Sequence, residues 1–323
     1  MSWDNKRTLC CIVPCFNESE VLPSFFCEMD RIASQLESEY ACDLGLVLID
    51  DGSKDNTLEL LRKHCKDNPL WHYVSFTRNF GKEAGLLAGM RAALDFFPSS
   101  ETYFSIMDAD LQDPPALLFQ MIKILDDDSS VDVAAAYRRT RTGESPIRSA
   151  FSHLFYKIIN SISVVEMKDG ARDFRTMRRI VVQSVVDLPE IVRFSKGLLM
   201  WGGYSTKWIP YDNIERAKGT SKWNFLSLLQ YALDGIIAFS VVPLEIISLG
   251  GLIVFLLALL FLVFIVVRAL LFGDPVAGWP SLMSIITLLC GLQLLGMGIL
   301  GLYLSKMYLE IKKRPLYLIR EMR

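Results

Sequence analysis

The sequence predicts an α/β domain with a mostly parallel sheet, followed by a hairpin of two membrane-spanning helices. Over the first 140 of 323 residues, short apolar runs alternate with stretches of helical pattern, and this alternation is typical of βαβ units. Further along, residues 246–267 and 275–305 contain no charged side chain. At a rise of 1.5 Å per residue, each stretch is long enough to cross about 30 Å of hydrocarbon.

Five apolar, partly β-branched runs are the predicted strands, at 9–13, 44–49, 72–76, 103–107 and 131–137. Helical patterns separate them, near 19–39, 55–66, 83–96 and 115–125. Because the strand runs are continuously apolar, we expect a sheet buried on both faces. Gly81, Gly85 and Gly89 recur every four residues in the third helical segment, which predicts a helix face in close contact with its neighbour.

Polar and charged side chains follow each predicted strand. The first strand is followed by "PCFNE", the second by "DDGS", the third by "TRNFG", the fourth by "DADLQD" and the fifth by three arginines within four residues. In an open α/β sheet, ligands bind outside the carboxyl ends of the strands. Five such strand ends in succession therefore predict one shared binding site.

The segment after the fourth strand has the composition of a metal site. Asp108 and Asp110 are separated by one small residue, and Gln112 adds an amide oxygen. Mg²⁺ typically takes one or two carboxylates and completes its shell with water and substrate phosphates. An isolated Asp-x-Asp is more often a solvated acidic turn, but at this strand end it predicts a cation that carries a diphosphate leaving group.

Other classes of site are excluded by missing motifs. The sequence contains no GxxxxGK[ST], no GxGxxG between a strand and a helix, no GxSxG and no HExxH, and it has only three histidines. The net charge of −2 provides no basic field for nucleic acid. The seven cysteines form no CxxC pair, which favours a reducing, cytosolic setting.

The hydropathy pattern divides the chain into five parts. We expect a catalytic domain at 1–221, an interfacial juxtamembrane helix at 222–243, transmembrane helices at 244–270 and 280–305, and a basic cytosolic tail at 306–323. The tail has six Lys or Arg, and the positive-inside rule places it in the cytoplasm. Two crossings then put both termini on that side of the inner (plasma) membrane. A second amphipathic segment at 145–165 either packs on the sheet or lies at the membrane surface.

The ordered set of motifs resembles a known family. "IVPCFNESE", "LIDDGSKDNT", "FTRNFGKEAGLLAGM" and "DADLQDPP" resemble family 2 glycosyltransferases. The later "DGARDFRTMRR", "RFSKGLLMWGGY", "RAKGTSKWNF" and "KKRPLYLIRE" narrow the likeness to polyprenyl-phosphate glycosyltransferases such as the bactoprenol glucosyltransferases and dolichol-phosphate mannose synthase. The likeness covers nearly the whole chain.

The resemblance implies a Rossmann-like GT-A fold and a nucleotide-sugar donor, with UDP-glucose the first choice. It implies Mg²⁺ or Mn²⁺ on Asp108, Asp110 and Gln112. The nucleotide-sugar site would comprise Pro14, Asn17, Glu18, Asp50, Asp51 and Asp108. The acceptor would be a polyprenyl phosphate such as undecaprenyl phosphate, whose oxygen attacks the sugar C1 with inversion. The product would serve cell-envelope glycan modification, and the family likeness suggests a homo-oligomer, such as a tetramer.

Basic residues are expected to bind the acceptor phosphate, since guanidinium groups pair with phosphate in bidentate fashion. The candidates are Arg138, Arg139, Arg148, Arg216, Ser221 and Lys222. Either Asp169 or Asp173 would face the acceptor, with Asp173 slightly favoured. Arg172, just before "DFR", departs from the glycine usual in the family.

Two alternative functions remain. A processive polysaccharide synthase of the same superfamily usually carries QxxRW and more spans, and neither is present. A non-catalytic sugar-nucleotide binding protein anchored in the membrane would be expected to lose the metal-binding acids, but these acids are retained.

Overall fold

The computed structural model describes residues 7–139, 168, 170–212, 242–272 and 278–323. The amphipathic segment predicted at 145–165 lies outside these residues, and so does the one predicted at 222–243 except for its last two residues. Five of the predicted site residues also lie outside them: Arg148, Asp169, Arg216, Ser221 and Lys222.

Eight strands form one sheet: β1 Arg7–Cys15, β2 Cys42–Asp50, β3 Trp71–Phe76, β4 Thr102–Ile106, β5 Val133–Arg138, β6 Ala171–Arg178, β7 Thr206–Tyr211 and β8 Ile319–Met322. The helices are α1 Leu22–Tyr40, α2 Thr57–Asp67, α3 Lys82–Phe96, α4 Leu117–Asp127, α5 Arg179–Asp187, α6 Ser195–Trp201, α7 Val242–Phe272 and α8 Trp279–Lys312. The predicted strands and helices of the first 140 residues are confirmed, with their ends shifted by a few residues.

The order of the sheet is β7-β5-β6-β4-β1-β2-β3-β8. The strands β3, β2, β1 and β4 are parallel neighbours, so their carboxyl ends lie at one edge of the sheet. Because β6 runs antiparallel between β4 and β5, its first residues lie at that same edge. The chain changes direction across the sheet at β1, and open α/β sheets bind their ligands at such a switch point.

Both faces of the sheet are covered, as the apolar strands predict. Leu9, Cys11 and Val13 of β1 pack with α1, α2 and α4 on one face, whereas Cys10 and Ile12 pack with α3, α5 and α6 on the other.

The predicted glycine face of α3 is confirmed at Gly89, where the helix crosses β1, whereas Gly81 precedes the helix and a Cβ atom there would meet nothing within 4 Å. A Cβ atom on Gly89 would lie 2.4 Å from Cγ2 of Ile12, and one on Gly85 would lie 3.7 Å from Cβ of Pro14. Any side chain at position 89 would therefore push the helix away from the strand.

The helices α7 and α8 expose a large apolar surface. Leu260 and Leu271 of α7 are 68% and 69% exposed, and Leu294 of α8 is 69% exposed. By length and composition, the described stretch Leu288–Lys312 of α8 is a candidate membrane span. The two helices touch where Gly296 lies against the side chain of Ile247.

The segment predicted as a basic tail has a structure that the sequence analysis did not foresee. Its first residues continue α8 to Lys312, and its last residues form β8, which pairs antiparallel with β3 at the edge of the sheet. The Glu310 carboxylate accepts hydrogen bonds from the backbone N–H groups of Ile191 and Val192, at 2.9 and 2.8 Å. These contacts join the end of α8 to the α/β domain.

Candidate active site

Three charged side chains meet where the carboxyl end of β4 faces the start of β6. The ammonium of Lys82, the first residue of α3, lies 2.7 Å from Oδ1 of Asp108 and 2.8 Å from Oδ2 of Asp173. Asp108 lies two residues after Ile106, the last residue of β4, and Asp173 reaches this edge because β6 is antiparallel to β4. The structure thus brings a predicted metal ligand and a predicted acceptor-facing carboxylate to one cation.

The charges around Asp173 keep it ionised. Burial alone would raise the pKa of its carboxyl group, but the nearby cations Lys82, Lys196 and Arg175 hold that pKa well below its usual range. Burial would in turn lower the pKa of Lys82, and the carboxylates of Asp108 and Asp173 raise it well above its ordinary value. The ion pairs therefore outweigh desolvation on both sides.

A second network of hydrogen bonds holds the predicted metal-binding segment. Oδ1 of Asp110 accepts a 3.1 Å hydrogen bond from the Gln112 N–H, and Oε1 of Gln112 accepts a 3.4 Å hydrogen bond from Arg138. Arg138 also donates to the Tyr211 hydroxyl at 3.3 Å, and that hydroxyl donates to Asp113. The end of β5 is thereby connected to the segment after β4.

Asp113, only 2% exposed, is the centre of this network. Arg172 donates to its Oδ1 at 3.4 Å. Burial, together with the adjacent Asp113, raises the pKa of Tyr211 to about 12. Arg172 is the residue that departs from the family pattern. Burial would lower the pKa of its guanidinium, but the charges of Asp113, Asp108, Tyr211 and Asp173 raise that pKa above its usual value.

Asp50 and Asp51, predicted to line the nucleoside site, shape the loops at this edge. Asp51 accepts hydrogen bonds from the N–H groups of Phe80 and Gly81 at 2.6 and 2.9 Å. Asp50 accepts from the Ser53 N–H at 3.0 Å and from the Ser75 hydroxyl at 2.7 Å. Burial raises the pKa of Asp51, and the two N–H groups partly offset that rise.

Asn17 and Glu18 join the loop after β1 to the loop after β2. The Asn17 N–H donates to Ser53 Oγ at 2.9 Å, and its side-chain oxygen accepts from the Lys54 N–H at 2.8 Å. The Glu18 N–H donates to Thr57 Oγ1 at 2.9 Å. The predicted nucleoside residues, Pro14 included, thus lie together at the ends of β1 and β2.

The side chain of Arg139 does not join this cluster. It makes a 3.4 Å ion pair with Asp212, and both side chains are about two-thirds exposed. Such surface pairs contribute little energy. Of the arginines predicted to follow the fifth strand, the structure describes Arg138, which is the last residue of β5, and Arg139, and it places Arg138 in the site.

Sequence reasoning missed the cations Lys82 and Lys196 as site residues. Lys82 was missed because it is the first residue of a helix, whereas the sequence analysis searched for polar residues directly after predicted strands. The N–H group of Ser195 donates to the Glu83 carboxylate at 2.8 Å, which ties the start of α6 to the start of α3. The next residue, Lys196, reaches the carbonyl of Ala171 at 3.4 Å. The lysine in "RFSKG" was the sequence signal that could have identified Lys196.

Comparisons with known proteins identify the family. Residues 10–186 match the family described as Glycosyl transferase family 2. The SfII prophage-derived bactoprenol glucosyl transferase of Shigella flexneri is 36% identical over 310 residues, covering 96% of each chain. A prophage bactoprenol glucosyl transferase homolog of Escherichia coli K12 is 35% identical over 312 residues, covering 97% of this chain and 98% of its own.

Among solved structures, glucosyl-3-phosphoglycerate synthase from Mycobacterium tuberculosis, in complex with Mn²⁺, UDP and phosphoglyceric acid, matches 72% of this chain and 76% of its own, with a TM-score of 0.48 at 17% identity. The family match covers more than half of the chain, and the two prophage relatives cover nearly all of it. The chain therefore belongs to glycosyl transferase family 2, and its α/β domain is a GT-A glycosyltransferase domain.

Proposed function

We propose that the protein transfers a hexose, glucose from UDP-glucose, to a polyprenyl phosphate such as undecaprenyl phosphate, with inversion at C1, on the cytosolic face of the membrane. The observation that carries this proposal is the Asp108–Lys82–Asp173 cluster at the carboxyl edge of the sheet. The bactoprenol glucosyl transferases that match nearly the whole chain support the choice of acceptor and sugar.

The segment after β4 fits a divalent cation. Asp108 and Asp110 offer carboxylate oxygens and Gln112 an amide oxygen, the hard ligands that Mg²⁺ and Mn²⁺ prefer. Two or three protein oxygens suffice when a diphosphate and water complete the shell. A cation held there would neutralise charge on the leaving diphosphate. The chain's own part is to hold these oxygens in place through Arg138 and the Gln112 N–H.

A phosphate acceptor places modest demands on the protein. Its oxygen is already ionised at neutral pH, so no strong base is needed to remove a proton. Asp173, whose pKa is held low by its cationic neighbours, is a weak base and suits a role in orientation and charge balance. Arg138 contributes a guanidinium that can bind the acceptor phosphate.

The end of α8, the candidate membrane span, contacts the α/β domain close to the site. Glu310 binds the backbone just before α6, and Lys196 of α6 contributes to the charge around Asp173. A membrane surface at the end of α8 would therefore lie next to the part of the domain that contributes Lys196 to the site. This placement supports a lipid-linked acceptor.

The position of β8 supports a two-pass topology. Because β8 pairs with β3, the chain must cross the membrane an even number of times between Asp212 and Ile319. If Leu288–Lys312 crosses once, a second crossing is required. The helix α7, with no charge over residues 246–267, is suited to supply it.

The test is a transfer assay with the purified full chain, undecaprenyl phosphate and a panel of sugar nucleotides. We expect one lipid-linked product, formed from UDP-glucose with inverted anomeric configuration. Binding of a nucleotide sugar without any lipid-linked product would instead favour the non-catalytic binding protein. A product lengthened by many sugars would favour the processive synthase.

A further inference from the structure

Lys82 occupies an unusual position for a residue outside the predicted metal and phosphate sites. Its ammonium makes two short ion pairs, to Asp108 on the donor side and to Asp173 on the acceptor side. Both carboxylates contact the same nitrogen atom, so they lie close to each other. Without Lys82, two negative groups would face each other at close range, which is unfavourable in a partly buried site.

The position of Lys82 is fixed by the residues on either side of it. Gly81, at φ 96°, has a backbone conformation that favours glycine, and its N–H is held by Asp51. The following residue, Glu83, is bonded through its carboxylate to the backbone and hydroxyl of Ser195. The turn that begins α3 is thus anchored to β2 on one side and to α6 on the other.

An ammonium and a divalent cation compete for the same carboxylate. Oxygen ligands bind Mg²⁺ at about 2.0–2.1 Å, so a cation on Asp108 would lie close to Nζ of Lys82 and repel it. A diphosphate changes this balance, because its oxygens provide a new partner for the ammonium and complete the shell of the metal.

We propose that Lys82 is an internal counter-ion that competes with the divalent cation for Asp108, so that the cation binds well only together with the nucleoside diphosphate. Through these two ion pairs the ammonium holds Asp108 and Asp173 together. When a diphosphate is bound, the ammonium pairs with it and leaves Asp108 to the metal. This inference rests on the proposed metal-dependent transfer.

The experiment measures Mn²⁺ binding to the full chain in detergent, by electron paramagnetic resonance of free Mn²⁺. Wild type is compared with Lys82→Met, which removes the charge, and with Lys82→Arg, which keeps it. Lys123→Met, an exposed lysine of α4 remote in sequence from the cluster, is the matched control. Each protein is titrated alone and with UDP or GDP, whichever the transfer assay selects.

Without nucleotide, we expect Lys82→Met to bind Mn²⁺ at least tenfold more tightly than wild type, Lys82→Arg and Lys123→Met. The nucleotide should tighten Mn²⁺ binding at least tenfold in wild type and much less in Lys82→Met. Adding Asp108→Asn to Lys82→Met should abolish the gain, which locates the ion.

Equal or weaker Mn²⁺ binding by folded Lys82→Met would overturn the inference. Should that variant fail to fold, wild type still decides, because Mn²⁺ binding as tight without nucleotide as with it would also overturn the inference. Neither result affects the proposed function, which fails separately if wild type makes no lipid-linked product. A full rate of transfer in EDTA would instead refute the metal assignment on which this inference rests.

Discussion

Tyr317 connects the C-terminal segment to the core of the α/β domain. Its ring lies 5.1 Å from the ring of Phe76, with an angle of 14° between the ring planes. Phe76 is completely buried, and Tyr317 is half-buried. The Tyr317 hydroxyl also accepts a 3.4 Å hydrogen bond from Arg91. Replacing Tyr317 with alanine would uncover one face of Phe76 at the edge of the sheet.

The expected cost follows from these contacts. Truncating a fully buried aromatic residue to alanine costs about 3–5 kcal/mol, and a stacked pair contributes about 0.5–1.5 kcal/mol beyond its buried area. Because Tyr317 is only half-buried, we expect Tyr317→Ala to lower the free energy of unfolding by about 2–3 kcal/mol. For a domain of this size each kcal/mol corresponds to about 2–4 °C, so Tm should fall by about 5–10 °C.

The assay is thermal unfolding of the full chain in detergent, followed by near-ultraviolet circular dichroism. Tyr317→Phe is the matched control, since it keeps the ring and removes only the long hydrogen bond to Arg91. We expect it to lie within about 1 kcal/mol of wild type. Unchanged stability of Tyr317→Ala would show that the ring does not pack on Phe76, and equal loss in both variants would assign the effect to the hydroxyl.

Three further predictions concern the site and the topology. Asp110→Ala should abolish transfer while leaving Tm unchanged, because the diphosphate loses its counter-charge; full activity of the folded variant would refute the metal assignment. Arg138→Ala should raise the acceptor KM by about tenfold to a hundredfold, since it removes a charge-assisted contact of about 1.5–3 kcal/mol. A change confined to the donor dissociation constant would assign Arg138 to the diphosphate instead. In a background without native cysteines, a membrane-impermeant maleimide applied to intact cells should label a cysteine placed at 276 and miss one at 314, and the reverse pattern would contradict the two-pass topology.

The five strands predicted from the sequence could be recognised because burial on both faces requires nearly continuous runs of apolar residues. Runs such as 9–13 and 44–49 are apolar at every position, and few other structures produce that pattern. The Asp108 segment was predictable for a related reason, since polar residues directly after such a run mark the edge where ligands bind.

The strand β6 contains no such apolar run. Its sequence "ARDFRTMR" contains three arginines and an aspartate, yet Arg175 is 1% exposed because its guanidinium donates to the carbonyls of Arg172 and Asp173, at 2.8 and 3.3 Å. Those bonds depend on the folded backbone, so a pattern of polar residues could not reveal a central strand. The strand β7 includes a proline, Pro210, and β8 is only four residues long.

The contacts of Lys82 and Asp113 were also beyond sequence reasoning. Lys82 meets Asp173 across 91 positions of the chain, and Tyr211 meets Asp113 across 98. Spacing rules describe neighbours along a strand or helix, whereas these pairs arise from the order of strands in the sheet. Knowledge that β6 lies between β4 and β5 would have been needed first.

The position of β8 has a consequence for biosynthesis. This strand comprises residues 319–322 and follows both long apolar helices in the chain, so the outer edge of β3 stays unpaired until those helices have been translated. Domains generally begin to fold from the N-terminus during synthesis, and an open strand edge is a template for aggregation. The nascent α/β domain therefore keeps one strand edge unpaired until both long apolar helices have left the ribosome. Pairing of β8 with β3 can therefore occur only after α7 and α8 have been synthesised, and it completes this sheet.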